Sequence, residues 1–323
     1  MEYNPLVSIL VVTYNSSKYI IDALESVKNQ TYQNVELVVS DDCSKDETVD
    51  VCRKWMDENK SRFVNVELVT TEKNTGTSAN ANRGLQKCKG EWVKFCAGDD
   101  ALFSDCVEKL VQFVTNNPEA RAITGKLKEY RFSFDEENVV VGHMSRYNDN
   151  KEILDKSAEE QLKKLVYGNS FIPPTGFFCM QVVREVGGFD EKYGILEDFP
   201  FYLQLLMHGY KFYRIDEFVA KYRTSDTNVF GRMDVLFNYK HRYYDYLVRR
   251  DMCFSYYSTR EKIRTHTSFA SCWIMNKLGL QKRTLFNTSV FAAIHLIFAV
   301  LTLDFGQLWS YFRSAVRKVV RIR

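Results

Sequence analysis

Short apolar runs alternate with amphipathic stretches through the first hundred residues. Residues 7–12 are aliphatic apart from Ser8, which is typical of a strand buried on both faces of a parallel sheet. The next apolar side chains recur at helical spacing, at Ile20, Ile21, Leu24 and Val27. Further strands are predicted at residues 34–39, 63–70 and 92–96, with helical stretches between them. This alternation predicts a parallel, doubly wound α/β sheet.

The sequence from 101 to 225 is less regular and predicts the second half of the same domain. Helices and strands are predicted in turn at 104–115, 121–124, 157–166 and 177–182. From residue 226 the chain is rich in Tyr and Arg and helical in pattern. We therefore predict one α/β domain over 1–225, with halves 1–100 and 101–225, followed by a helical extension over 226–323.

Composition narrows the class of protein. The 323 residues are 45% hydrophobic and 26% charged, which predicts a folded core, and the net charge of +3 argues against bulk nucleic-acid binding. Eight cysteines contain no CxxC pair, so we predict reduced, mostly buried thiols. Residues 6–12 are too short for the apolar region of a signal peptide, which predicts a protein of the cytoplasm.

The C-terminal segment combines an apolar run with a basic end. Residues 289–303 are apolar except for Ser289, His295 and Thr302, but they fall short of the roughly 20 residues that span a bilayer. The last eleven residues carry no acidic side chain and five basic ones, at Arg313, Arg317, Lys318, Arg321 and Arg323. This pattern predicts peripheral membrane contact through an interfacial helix on anionic lipid. The alternative is a core or oligomer-interface helix with a solvated basic tail, and a homo-oligomer is left open.

Two carboxylate pairs follow predicted strands, Asp41-Asp42 and Asp99-Asp100. Adjacent carboxylates raise each other's cost of ionisation, so a cation or hydrogen-bond donors usually compensate them. Behind the flexible Gly98, the second pair is suited to hold Mg²⁺ or Mn²⁺ against a diphosphate, because hard cations prefer oxygen ligands. Either pair also fits a helix N-cap. From the residues alone, both interpretations stay open.

Five motifs in order resemble those of family-2 glycosyltransferases. They occupy residues 7–15, 30–46, 74–84, 90–100 and 187–198, and the match covers roughly residues 5–223. The resemblance implies a GT-A fold, with a Rossmann-like, mostly parallel sheet. It also implies a nucleotide-diphosphosugar donor, a divalent metal and inversion at the anomeric carbon. The corresponding role is the synthesis of a bacterial cell-surface polysaccharide.

The resemblance assigns residues to the nucleotide. Thr13 and Tyr14, followed by Asn15, would line the nucleobase pocket, with Tyr14 stacked on the base. Asp42 would accept a hydrogen bond from uracil or thymine, while Asp41 shapes the loop. These roles imply a UDP- or dTDP-sugar.

Further assignments concern the phosphates, the metal and the acceptor. Asn74 and Asn82 would bracket the ribose and pyrophosphate. Asp99 and Asp100 would share ribose contact and metal ligation, with the division between them left open. Asp198, next to Glu197, would take the proton of the acceptor hydroxyl, which is a weak nucleophile on its own. The alternative for Glu197 and Asp198 is a purely structural role as an acidic pair at the N-terminus of a helix.

Two departures from the family pattern bear on activity. Ala97 stands where an Asp is frequent, and Ala81 stands where an Arg is common. Either Lys73 or Arg83 compensates for that arginine, or the donor is a variant one. The departures motivate a catalytically degenerate, nucleotide-binding scaffold as an alternative. A sugar nucleotidyltransferase is less favoured, because no Gly-rich basic loop follows the first strand. The leading hypothesis is transfer to a saccharide or lipid-linked acceptor at the inner face of the cell membrane.

Overall fold

The computed structural model describes residues 3–140, 155–168, 173–224 and 235–302. Two compact units make up the chain, Met1–Ser225 and Asp226–Arg323. The first unit contains every residue that the sequence assigned to the site. The basic cluster at 313–323, and with it the basic half of the predicted membrane contact, lies outside the described residues.

Eight strands form one sheet in the described part of the first unit. The order across this sheet is β3-β2-β1-β4-β7-β6-β8-β5. The strands are β1 (Val7–Thr13), β2 (Val35–Asp41), β3 (Val66–Val69), β4 (Trp92–Ala97), β5 (Ala101–Leu102), β6 (Ala122–Arg131), β7 (Phe177–Cys179) and β8 (Phe212–Thr224). The predicted α/β fold with a mostly parallel sheet is confirmed.

The long strands of this sheet run in one direction. Strands β3, β2, β1 and β4 are mutually parallel. The short β7 is antiparallel to both β4 and β6, so β6 runs with β4, and β8 is parallel to β6. The carboxyl ends of β1, β2, β4, β6 and β8 therefore lie along one edge, which is where α/β sheets bind ligands.

Helices cover the sheet as the apolar stripes predict. In the first unit they are α1 (Ile20–Lys28), α2 (Thr48–Asn59), α3 (Thr77–Leu85), α4 (Cys106–Asn116), α5 (Ala158–Leu165), α6 (Met180–Glu185) and α7 (Asp198–Met207). One core cluster joins Val7, Ile9 and Val11 of β1 to the buried faces of α1, α2 and α4. Burial of these stripes from water is the main stabilising contribution to this unit.

Two predicted elements differ from the structure. The apolar run at 177–182 was predicted as one strand, whereas β7 ends at Cys179 and α6 begins at Met180. A short apolar run fits a strand or a buried helix equally well, which is why its periodicity misled the prediction. Strand β6 continues past the predicted end at 124 to Arg131, because β8 pairs with it along that length.

The second unit is helical in its described part. It contains α8 (Tyr239–Val248), α9 (Thr259–Lys277) and α10 (Leu285–Leu301). A small core forms where Phe237 stacks on Phe291 of α10, with ring centroids 5.4 Å apart, near the buried Met275. Within the described residues, none of the helices combines the length and hydropathy needed to cross a bilayer.

A buried glutamate joins strands β1 and β2 to the turn before β4. Glu36 is inaccessible to solvent, and its Oε1 accepts hydrogen bonds from the Ser8 hydroxyl (2.6 Å) and from the backbone N–H groups of Lys89 (2.5 Å) and Gly90 (3.0 Å). A buried carboxylate is tolerated only when donors of this kind replace water. Glu36 therefore fixes the amino-terminal edge of the sheet.

We predict that Glu36→Gln lowers the free energy of unfolding by about 2 kcal/mol, because charge-assisted hydrogen bonds become neutral ones. Urea denaturation measures this loss. The control is Glu58→Gln on the exposed face of α2, which should change stability by less than about 0.5 kcal/mol. Equal effects of the two substitutions would contradict the structural role of Glu36.

Candidate functional site

The end of β1 supplies an exposed aromatic ring beside buried polar groups. The Thr13 carbonyl accepts the backbone N–H of Asp42 at 3.1 Å, while the Tyr14 side chain is 45% exposed. Asn15 lies in the left-handed region (φ 50°), and its Oδ1 accepts the backbone N–H of Lys45 at 2.7 Å. The loops that follow β1 and β2 are thereby fastened together. Tyr14 is left accessible to a planar ligand.

Asp41 and Asp42, at the end of β2, are both buried, and each carboxylate holds a different loop. Asp41 Oδ1 accepts the backbone N–H of Ser44 at 2.8 Å, and its Oδ2 accepts the Ser44 hydroxyl. Asp42 accepts the Thr75 N–H (2.9 Å) and hydroxyl (2.7 Å) on Oδ1 and the Gly76 N–H (2.7 Å) on Oδ2. Most of the accepting capacity of Asp42 is thus used within the protein.

The predicted base contact of Asp42 therefore requires the loop at 74–76 to give up some of these hydrogen bonds. Asn74 belongs to the same loop, and its Nδ2 donates to the Asp42 carbonyl at 3.3 Å. The nucleotide contacts of Asp42 and Asn74 stay predictions. What the structure adds is that both residues act together in shaping one loop.

Helix α3 contributes Asn80, to which motif matching gave no role, and Arg83, which the sequence offered as a substitute for the arginine missing at 81. Asn80 is buried and donates from Nδ2 to the carbonyls of Thr13 (3.2 Å) and Ser40 (3.0 Å), so it ties the ends of β1 and β2 together. Arg83 donates to Asn80 Oδ1 (2.9 Å) and lies 3.5 Å from Asp42 Oδ1. Polar side chains three residues apart on a helix of small residues were the signal available for this pair.

Asn82 has a structural role that differs from the predicted ribose or pyrophosphate contact. Its Nδ2 donates to the Phe189 carbonyl at 2.8 Å, and its Oδ1 accepts the Phe189 N–H at 2.9 Å. Gly188, with φ 72°, permits this approach, because a Cβ there would lie 2.7 Å from Asn82 Oδ1. The side chain joins α3 to the turn that precedes α7. A contact between Asn82 and the donor stays a prediction.

The turn after β4 brings Asp99 and Asp100 against the end of β1. A Cβ on Gly98 would lie 2.5 Å from Thr13 Oγ1, so only glycine allows the turn to pass this close. Asp100 is buried, and its Oδ1 accepts the backbone N–H of Arg223 in β8 at 2.9 Å. The Thr13 hydroxyl, also buried, has no hydrogen-bond partner among the described residues.

Electrostatics at this turn favour a cation. Burial raises the pKa of the Asp99 carboxyl, and burial followed by the charge of Asp99 raises the pKa of Asp100 well above its usual range. In the described part of the chain, no three His, Cys, Asp or Glu side chains form a complete metal site. Two carboxylates nevertheless fit Mg²⁺ or Mn²⁺, because such ions complete their shell with phosphate oxygens and water.

Glu197 and Asp198 lie at the start of α7, with Glu197 as the N-cap and Asp198 as the first helical residue. Burial first, and then the charge of Asp198, raise the pKa of Glu197 to about 8. A pKa of about 8 favours the protonated form of Glu197 at neutral pH. The loop before these residues contacts α3, since the Ser78 hydroxyl donates to the Gly194 carbonyl at 3.3 Å. Helix α3 thus links the nucleotide side to the acidic pair.

A family model described as glycosyl transferase family 2 matches residues 8–181. The chain is 27% identical over 233 residues to TuaG of Bacillus subtilis, whose name assigns it to teichuronic acid biosynthesis; the match covers 70% of this chain and 82% of that protein. It is also 35% identical over 113 residues to an uncharacterized glycosyltransferase of Haemophilus influenzae, covering 35% of this chain. The chain spans 44% of the length of that relative and 59% of a Rickettsia typhi relative.

Two solved structures are similar in fold. The structure of residues 1–349 of TarS from S. aureus with UDP-GlcNAc has a TM-score of 0.57 at 18% identity, covering 90% of this chain and 80% of that one. The mannosyltransferase PcManGT from Pyrobaculum calidifontis, in complex with GDP-Man and Mn²⁺, has a TM-score of 0.58 at 17% identity. This match covers 98% of this chain and 81% of that one. At these identities the likeness concerns the fold.

The raised pKa of Glu197 predicts a pH dependence of stability. Because the folded-state pKa of about 8 exceeds the ordinary value of 4.5, the contribution is complete below pH 4.5 and is lost as the pH rises through about 8. Glu197→Gln should abolish this decline, which amounts to at most about 1.4 kcal/mol per pH unit. Urea unfolding of both proteins across this window measures the difference. Parallel curves would show that Glu197 titrates normally.

Proposed function

Because the chain belongs to glycosyl transferase family 2, we propose that it transfers a sugar from a UDP- or dTDP-sugar to a hydroxyl of a saccharide or lipid-linked acceptor, with inversion. The reaction would serve the synthesis of a surface polysaccharide, as the name of TuaG indicates for that relative. The observation that carries the proposal is the gathering of the Thr13–Asn15 loop, Asp41-Asp42, Asp99 and the buried Asp100 at one edge of the sheet.

The donor would bind across the ends of β1, β2 and β4. The exposed Tyr14 ring offers a face for the base, next to the loop that Asp42 holds. Asp99 and Asp100 would hold Mg²⁺ or Mn²⁺, and such a metal, when bound, neutralises charge on the leaving diphosphate. UDP-GlcNAc bound to TarS and Mn²⁺ bound to PcManGT are consistent with this assignment.

Arg83 offers an answer to the absence of an arginine at position 81. Ala81 is buried, whereas Arg83, two residues further along α3, donates to the Thr75 hydroxyl at 2.6 Å and lies 3.5 Å from Asp42. The cation that the family often carries at 81 is thus replaced by one at 83, beside the same loop. This observation favours an active enzyme over the degenerate scaffold.

Asp198 is the proposed general base. A base must be ionised to accept a proton, and a pKa raised to about 8 disfavours Glu197 in this role at neutral pH. Asp198 would accept the acceptor's hydroxyl proton as that oxygen bonds to the anomeric carbon and the bond to the diphosphate breaks. One displacement from the opposite face inverts the anomeric centre. Glu197 would stay neutral, so that the charge remains on Asp198.

We expect Asp198→Asn to reduce sugar transfer by at least about 100-fold, because general base catalysis is lost. Stabilisation by the donor should persist, since the residue does not bind the nucleotide. A thermal-shift screen of nucleotide sugars with and without Mn²⁺ identifies the donor, because at equal concentration a ligand that binds more tightly raises the melting temperature more.

Transfer from the identified donor then compares the wild type, Asp198→Asn and the control Asp57→Asn on the exposed face of α2. Full activity of Asp198→Asn would overturn the base assignment. Nucleotide-sugar binding by the wild type without turnover on any acceptor would favour the scaffold. Release of pyrophosphate from a nucleoside triphosphate would instead indicate a nucleotidyltransferase.

Peripheral membrane contact through α10 is a further part of the proposal. Its apolar side chains are accessible in the second unit, with Leu285 85%, Phe286 68% and Ile297 58% exposed. Phe286 and Ile297 are separated by three helical turns and share a face. Exposed apolar side chains on a helix, followed in sequence by the basic cluster at 313–323, suit a surface of anionic lipid. The enzyme would then act at the inner face of the cell membrane.

Replacing both Phe286 and Ile297 by Ser should reduce sedimentation with vesicles of phosphatidylglycerol and phosphatidylcholine by about tenfold, because apolar burial in the lipid is lost. Leu278→Ser, at an equally exposed position after α9, is the control. Vesicles of phosphatidylcholine alone should bind less of the wild type. Vesicle binding that the double substitution leaves unchanged would contradict the membrane assignment. A double substitution that changes the oligomeric state instead of vesicle binding would contradict it too.

A further inference from the structure

Arg223 is a buried arginine at the end of β8, next to the carboxylate turn. Only 3% of its side chain is exposed, although it lies at the edge of the sheet that carries the proposed site. It falls outside residues 8–181, the part of the chain that the family model matches. An arginine desolvated in this way is retained only where its donors are used, so the contacts of this guanidinium indicate its role.

Both residues of the carboxylate turn are held by this one arginine. The Arg223 backbone N–H donates to Asp100 Oδ1 at 2.9 Å, and its Nε donates to the Asp99 carbonyl oxygen at 2.8 Å. Neither of these contacts is a side-chain ion pair with Asp99 or Asp100. The turn is therefore fixed while the carboxylate charge stays available to a cation.

The remaining donors of the guanidinium reach two other elements. Nη2 donates to Asp22 Oδ2 of α1 at 2.6 Å, and Nη1 donates to the carbonyl of Phe132, which follows β6. Phe132 has a φ of 69°, a strained conformation for a non-glycine residue. The carboxylate turn is thus connected through one side chain to α1, β6 and β8.

Two aromatic rings set the plane of the guanidinium. The Arg223 Cζ lies 4.6 Å from the ring centroid of Tyr19 and 4.1 Å from that of Phe134. Stacking of this kind, combined with donors in three directions, suits the flat fork of arginine and cannot be reproduced by the ammonium of lysine. If this position needed only a positive charge, replacement of Arg223 by lysine would be tolerated.

We propose that Arg223 is a positioning residue that presets the Asp99-Asp100 turn to receive a divalent cation together with a nucleoside diphosphate. The inference rests on the proposed function, because it concerns the metal of that same site. Arg223 acts by holding the Asp99 backbone and one oxygen of Asp100. Groups that orient metal ligands in this way typically change metal affinity by about 10- to 100-fold when they are replaced.

The test compares Arg223→Lys with two matched controls in the full chain. Arg131→Lys makes the same exchange at an exposed position on β6, opposite Thr224, and Asp22→Asn removes a partner of the guanidinium that does not belong to the turn. Electron paramagnetic resonance of free Mn²⁺ gives the Mn²⁺ affinity in the presence of UDP. Thermal unfolding and UDP affinity without metal are measured alongside.

We expect Arg223→Lys to weaken Mn²⁺ binding by at least about tenfold, with both controls within about twofold of the wild type. Metal-free UDP affinity should be retained, and excess Mn²⁺ should restore part of the transfer activity. A folded Arg223→Lys protein with wild-type Mn²⁺ affinity would overturn the inference. A loss of Mn²⁺ binding that only matches the fraction of unfolded protein would overturn it as well.

Should Arg223→Lys fail to fold, Phe134→Leu removes one stacking ring and leaves the hydrogen bonds. It should weaken Mn²⁺ binding severalfold, and an unchanged affinity would equally overturn the inference. Failure of the wild type to bind Mn²⁺ with any uridine or thymidine diphosphate would instead refute the metal-dependent function on which the inference rests. The two failures are therefore distinguishable.

Discussion

The crowding of carboxylates at one edge of the sheet is the constraint on which the rest of the site depends. Asp41, Asp42 and Asp100 are buried there, with Asp99 beside them, and negative charge removed from water must be compensated. Backbone and hydroxyl donors of the Ser44 and Thr75–Gly76 segments compensate the pair that follows β2, together with Arg83, which lies 3.5 Å from Asp42. In the pair that follows β4, Arg223 holds the Asp99 carbonyl oxygen and one carboxylate oxygen of Asp100 through contacts that are not side-chain ion pairs. This difference marks Asp99 and Asp100 as the pair suited to a cation.

The adjacent acids Glu197 and Asp198 at the start of α7 are accommodated in a third way. Glu197 relieves the repulsion from Asp198 by keeping its proton, because burial and the neighbouring charge raise its pKa to about 8. Three pairs of acids on one domain thus meet the same cost in three ways: hydrogen-bond donors, an available cation site and protonation. The tasks that we propose for the three pairs also differ, namely loop support, leaving-group binding and proton transfer.

Helix α3 and strand β8 connect these pairs. Asn80 and Arg83 of α3 face the ends of β1 and β2, while Asn82 binds the turn at Phe189 that leads to α7. Arg223 of β8 performs the corresponding task for the turn after β4. The geometry of the acidic side chains is therefore set by neutral amides and arginines on neighbouring elements, rather than by the acids themselves.

The sequence alone predicted a large part of this arrangement. Continuous apolar runs and the 3.6-residue period of apolar side chains are local properties, so they located β1, β2, β4 and the helices between them, and the five motifs located the acids. The α/β class and the family follow from these signals. The same local signals misassigned residues 180–182, because a short apolar run fits a buried helix as well as a strand.

Tertiary structure decided which polar side chains face one another. Asn82 lies within a motif and was expected to contact the donor, but its hydrogen bonds to Phe189 depend on a turn 107 residues away. Arg223 carries no motif, and its partners Asp22, Asp99 and Phe132 meet only when β8 lies beside β6 in the sheet. Hydrogen bonds between distant segments have no periodicity in the sequence, which is why the acids could be predicted and the residues that hold them could not.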